Sequence, residues 1–211
     1  MTEIEKIKAD IERLKAYFNK FELRPPTQKN NIEGFKKYYK NLSQEVIDFY
    51  NYCDGFDANV EYDVEGAIIS LEEHQERIDQ IRTGEYPLFT YQFPITTDGC
   101  GNYDCVMFLE GVGNNSVVFW DIDYGLPSFL KASSLSSFIT FMVNDLIQRF
   151  NPDGSVKPEF NLDNPDPAES DWPFNSKKMM LNDPGLIKLY KSDEFAKEFD
   201  EPESLKTYLG S

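Results

Sequence analysis

The sequence predicts an α+β fold, one domain over residues 1–150 with an extension over 151–211, on three observations. Apolar residues recur at helical spacing near both ends of the first 150 residues, at 3–22 and 133–150. Between them lie β-rich runs at 87–97, 103–110 and 116–123, joined only by the turn-forming stretches DGCGN and GVGNN. Strands gathered in a hairpin-like run, rather than alternating with helices, favour α+β over a doubly wound parallel sheet.

Taken in order, the first helix is carried by Ile4, Ile7, Ile11, Leu14 and Phe18, with Thr2 placed to cap it. Two prolines in RPPTQKNN (24–31) end it. A second helical pattern covers about 32–53, with Ser43 as an internal cap and Val46, Ile47, Phe49 and Tyr50 as its apolar stripe. Gly55 in CDGFD stands where a left-handed residue closes a helix. VEYDVEGAIISL (60–71) ends in an apolar run, LEEHQERIDQIRTG (71–84) reads as a short helix, and the three β-runs follow. SSLSSFITFMVNDLIQRF (133–150) closes the unit as a serine-capped helix. NPDG (151–154) is a stop. NLDNPDPAESDWP reads as an extended linker, and 182–211 shows weaker helical patterning at Leu186, Ile187, Leu189 and Tyr190.

A chain of 211 residues with 15% aromatics can bury a core without disulfides or a metal. Its start, MTEIEKIKADIERLKAYF, is charged and amphipathic and lacks the apolar centre of a signal peptide. No stretch reaches the length of a membrane span. Three cysteines suit a reducing compartment, so a cytoplasmic protein is expected. Its formal charge of -16 is unevenly spread. Residues 1–50 carry 10 Lys/Arg and 8 Asp/Glu, residues 51–150 carry 4 and 16, and residues 151–211 carry 7 and 13. Such a middle section repels nucleic acid and anionic lipid, which are bound through Lys and Arg, and attracts a basic protein. Acidity for solubility alone gives the same balance.

Catalytic chemistry finds little support. Cys100 and Cys105 do not have the pair spacing of a zinc or redox motif, and the only other soft ligands are Cys53 and His74. Cys105, inside the alternating YDCVMF, is expected to pack as a small apolar residue, and Gly99 and Gly101 to shape a turn. His74, in the charged EEHQER, is expected at the surface with no nucleophile beside it in sequence. Asp98, Asp104, Asp121 and Asp123 cluster near strand ends, as paired-carboxylate hydrolysis would need, but turns place acids there too. GVGNN lacks the lysine of a phosphate loop. No enzyme, metal or cofactor is expected. FWDID with Tyr124 instead offers Trp120 and Tyr124 flanking Asp121 and Asp123, an aromatic anchor beside negative charge. The same residues fit Trp120 in the core with the two aspartates as its solvent-facing neighbours.

Three stretches, in their order, resemble the SUKH superfamily. NLSQEVIDFYNYCDGFD resembles its helix-ending element, with Ser43 in the place of a proline and Asp54-Gly55 in the place of asparagine-glycine. FPITTDGCGNYDCVMF resembles its glycine- and aspartate-bearing strand pair. SVVFWDID followed by SSLSSFITFMVNDL resembles its tryptophan strand and closing helix. The resemblance covers about residues 1–150 and implies a curved, mostly antiparallel sheet flanked by helices. It also implies a non-catalytic binding module: an immunity protein that neutralises a toxin, many of those toxins being nucleases, or a regulator of the kind that controls fungal cell-wall synthesis. With the charge pattern, the expectation is a basic nuclease toxin as partner. The contact residues expected are Asp54, Asp57, Asp98, Asn102, Asp104, Trp120, Asp121, Asp123 and Tyr124.

Overall fold

The computed structural model describes residues 1–26, 32, 34–36, 39, 41–61, 66–82, 92–108, 114–121, 127–168 and 182–192. Helix α1 (Glu3–Tyr17) opens on Thr2, whose Oγ1 accepts from Glu5 N at 3.3 Å while Glu5 Oε2 accepts from Thr2 N at 2.7 Å. This reciprocal box satisfies two backbone donors that a helix start leaves open. Ile7, Ile11 and Leu14 form its fully buried stripe. The helix stops short of residue 22. Phe18 is extended and buried, and Asn19 N donates to Pro152 O at 2.7 Å, a partner from the far end of the domain.

Two antiparallel sheets follow. The small one, in the order β1–β2–β3, is built from β1 (Glu22–Leu23), β2 (Phe56–Asp57) and β3 (Ala67–Ile68). The larger is a meander of β4 (Gln92–Thr97), β5 (Tyr103–Met107), β6 (Val117–Trp120) and β7 (Pro127–Ala132), each strand beside its predecessor. Ile69 N donates to Ile95 O at 3.0 Å and so joins the two sheets. Helix α2 (Gln44–Tyr52) is capped by Ser43 as expected, and the chain leaves it through Gly55 at φ 80°. A Cβ on Gly55 would overlap the Ile68 carbonyl oxygen, so glycine is required both by backbone angle and by the closeness of β3. Helices α3 (Leu71–Arg82) and α4 (Leu135–Arg149) complete the α+β domain. Among the described residues no helix is long and apolar enough to cross a membrane.

The start of α4 is where the N-terminal helices are fastened. Ser134 caps it. Glu45 of α2 accepts from Ser136 N at 2.7 Å, the Ser136 hydroxyl donates to Glu3 of α1, and Thr140 donates to Asp10 at 2.6 Å. Burial pushes the Glu45 carboxyl above its ordinary pKa against the opposing pull of the Ser136 amide, while Lys6 and Ser136 hold Glu3 below its own. A raised acid stabilises the fold fully below its unfolded pKa, about 4.3, and that contribution fades as pH climbs through the folded value. Glu45→Gln is therefore expected to match or exceed the wild type at pH 7 and to lose that advantage near about pH 4. Urea midpoints measured across this range test it; a glutamine variant that is relatively weakest at neutral pH contradicts it.

His74 is the main correction to the sequence reading. It is fully buried rather than on the surface. Position 74 lies one turn from buried Leu71 on the inner face of α3, while Glu72 and Glu76 take the solvent side. Its ring stacks on Phe93 at 3.9 Å and meets Phe35 and Tyr39. Nδ1 stands 3.0 Å from Pro94 O, which can only accept. Nδ1 therefore carries a proton and donates it to this carbonyl, and Nε2 lies 3.1 Å from the Tyr39 hydroxyl.

Much of the described extension is folded against the domain. In the NPDG turn, Gly154 has φ 89°, and Glu61 N donates to its carbonyl at 2.8 Å. Lys157 Nζ donates to Ile147 O and Gln148 O at 2.8 and 3.0 Å, satisfying carbonyls at the end of α4. Helix α5 (Pro184–Tyr190) docks where β7 meets α4. Buried Asp183 accepts from Ser133 N at 2.8 Å, from the Ser133 hydroxyl and from Gly185 N at 3.1 Å. Leu186 and Leu189 bury themselves in the core. A Cβ on Gly185 would overlap Ser133 Oγ. Gly185→Val is expected to lift α5, at a cost of about 1–3 kcal/mol, seen as faster amide exchange confined to residues 182–192.

Candidate protein-binding site

The larger sheet carries most of the expected contact residues, and its register decides which of them meet. The tip between β4 and β5 is the DGCGN stretch. Asp98 Oδ1 accepts from Cys100 N at 2.7 Å and Asn102 N at 3.1 Å, and Oδ2 accepts from Asn102 Nδ2 at 2.7 Å. Gly99 and Gly101 take φ 76° and 105°, so the stretch is a tight aspartate-centred turn. Tyr103 pairs with Trp120, a register that brings Asn102 and Asp121 to the same end of the sheet as Asp98. Asp121 is half-buried at the end of β6.

Alternation separates Trp120 from the acids. Trp120 is fully buried and packs against Tyr103 at 6.0 Å between ring centres, as part of the core. Its neighbours in sequence, Phe119 and Asp121, stand on the opposite side. There a cross-strand row runs through all four strands in register, from Thr96 to Asp104 to Phe119 to Phe129. Phe119 and Phe129 stack at 4.8 Å with planes 16° apart, and both are partly exposed.

Beside Phe119 in this row lies an ion pair. Asp104 and Lys131 are buried, with Lys131 Nζ 2.6 Å from Asp104 Oδ1, while Asp104 Oδ2 accepts from Thr96 Oγ1 at 2.8 Å. The same ammonium lies 5.2 Å from the centre of Phe119 and 5.8 Å from that of Phe129. Lys131 is the only lysine or arginine between residues 83 and 148, and it is held inside the protein.

The remaining expected residues are placed elsewhere. Asp54 Oδ1 accepts from Leu71 N at 2.8 Å and holds the start of α3. Asp57 Oδ1 accepts from Asn59 N at 2.7 Å in a turn after β2. Both belong to the small-sheet side rather than to the row on β4–β7. Asp123 and Tyr124 lie outside the described residues. The sequence reading missed Phe119 and Phe129. Period-two alternation, which forbids Trp120 and Asp121 from sharing a face, identifies Phe119 as the aromatic on the acid side. Phe129 belongs to β7, which no β-run in that reading included.

The cysteines behave as their places dictate. Burial raises the thiol pKa of Cys53 to about 12 and that of Cys105 well above its ordinary value, while Cys100 is exposed at the turn. One thiol is expected to react rapidly with a disulfide reagent in the native protein, and all three after unfolding. Fast labelling of a second thiol would contradict this packing. Among the described residues, His, Cys, Asp and Glu form no group that could hold a metal ion.

Comparison with known proteins places the larger sheet inside a recognised domain. A model described as the SMI1 / KNR4 family (SUKH-1) matches residues 26–140, more than half of the chain. The match takes in both sheets except β1 and leaves out α1, most of α4 and the C-terminal extension. No curated protein matches the chain.

Proposed function

From a chain that belongs to the SMI1/KNR4 family (SUKH-1), we propose an immunity-type protein that neutralises a basic nuclease toxin by direct binding in the cytoplasm. Domains of this family are generally non-catalytic binding modules, so binding rather than bond-making is the starting point. The observation that carries the reading is the charge of the sheet region. Residues 83–134 contain Glu85, Asp98, Asp104, Glu110, Asp121 and Asp123 against the single cation Lys131, whose charge Asp104 already answers internally. Such a surface speeds encounter with a positively charged protein and repels nucleic acid.

In this reading the end of the sheet bearing Asp98, Asn102 and Asp121 meets the toxin, and Asp123 and Tyr124, which follow in sequence, are proposed as further contacts. Asp54 and Asp57 extend the negative field from the small sheet. Trp120 and Asp104 contribute from within, by fixing the strands.

The test is co-purification with the product of an adjacent toxin gene, together with rescue of cells expressing that toxin. Asp121→Lys is expected to slow association at least about tenfold at low salt, with the difference shrinking as salt rises. Binding indifferent to this reversal refutes the charged-face reading. The family also includes regulators, so an endogenous partner is the second reading. A deletion phenotype in cells that meet no toxin would favour it.

A further inference from the structure

Resting on the reading above, we propose that the Phe119–Phe129 stack is the anchor of the interface and receives an arginine side chain of the basic partner. Three observations lead there. The two rings are partly exposed and held parallel, a rigid apolar surface that costs little entropy to bind. Their electrostatics suit a cation, since the Lys131 ammonium already lies within 6 Å of Phe119 and Phe129, at 5.2 and 5.8 Å. A carboxylate stands on the same side at Asp121, two residues on from Phe119 and just past the end of β6, while Asp104, in register with Phe119, is matched by Lys131.

The row's construction explains why the stack holds its place. Phe119 lies between Asp104 and Phe129 across the sheet, and Lys131 reaches back from β7 to Asp104. The ion pair thus ties the two strands that flank β6. Asp104 and Lys131 are positioning residues here; Phe119 and Phe129 make the contact.

Arginine is favoured over lysine by chemistry. A guanidinium is planar and weakly hydrated, so it stacks on a ring while keeping hydrogen bonds to a neighbouring carboxylate such as Asp121. An ammonium is compact and strongly hydrated, and gives up more on approaching an aromatic surface.

The experiment uses the full chain and two probes, a short arginine–serine repeat peptide and a lysine–serine peptide of equal length and charge. Affinities are measured by calorimetry at physiological salt. The wild type is expected to prefer the arginine peptide by several-fold, up to about tenfold. Phe119→Leu, which keeps apolar bulk and removes the ring, is expected to bring the two peptides to parity while leaving the urea midpoint close to wild type. Phe129→Leu should act in the same direction. Equal binding of both peptides by the wild type, or a preference that survives both leucine variants, overturns the anchor and leaves the acidic-face reading standing. Binding of neither peptide overturns both.

Discussion

Lys131→Met is expected to destabilise the protein by about 3–5 kcal/mol, although it is an isolated change to an apolar side chain of similar length. The cost comes from Asp104. With Lys131 gone, a carboxylate buried in the sheet keeps Thr96 as a hydrogen-bond partner but loses the ammonium 2.6 Å away. Adding Asp104→Leu removes the stranded charge, so the double variant is expected to recover to within about 1 kcal/mol of wild type or to exceed it. That non-additivity separates a buried ion pair from a generally sensitive strand. Guanidinium unfolding of the two single variants and the double variant measures it. If the double variant is as weak as the sum of the singles, the pair is not the source of the cost. The recovered double variant also bears on the anchor. With stability restored and the tie between β5 and β7 gone, its arginine preference is expected to fall.

His74→Ala is expected to cost about 3–5 kcal/mol, as loss of a fully buried ring does. The imidazole fills the space between Phe93, Phe35 and Tyr39, and its two nitrogens engage Pro94 O and the Tyr39 hydroxyl. His74→Phe refills the volume but leaves that carbonyl and hydroxyl facing a hydrocarbon ring, so it should still lose about 1–3 kcal/mol. Tyr39→Phe removes the hydroxyl facing Nε2 while keeping the ring, and is expected to be the mildest of the three, at about 1 kcal/mol. The order Ala, Phe at 74, then Phe at 39 is what urea denaturation should return. A harmless alanine at 74 would restore the surface reading of this histidine.

These two sites show what a linear reading sees poorly. His74 sits among five charged or amide residues, EE-H-QER with its flanks, and composition assigns such a stretch to solvent. Its inward direction is a matter of phase relative to Leu71, and the partners that neutralise its polarity, Tyr39 and Pro94, come from other parts of the chain. Lys131 is obscured for a related reason. The strand PSFLKA begins with proline and ends at a run of serines, which mark a loop. Proline is tolerated there because β7 begins at that residue, and among the described strands β7 stands at the edge of its sheet. The two-residue strands β1 and β2 are too short to leave any pattern.

Local chemistry, by contrast, was readable wherever one or two residues suffice. Thr2, Ser43 and Ser134 cap helices because their side chains reach the backbone one turn ahead. Gly55 marks a positive φ, Asp98 with its two glycines a tight turn, and Cys105 a buried position. The helix patterns, the strand cluster and the order of family signals together determined the α+β class and the SUKH membership. Only the tertiary structure decided which side of β6 faces the core, that Trp120 belongs to it while Phe119 does not, and that the lone lysine of the sheet is spent on Asp104. The physical reason is range. Capping, turns and periodicity act over a few residues, whereas facing and charge pairing depend on strand register, which joins residues far apart in the chain.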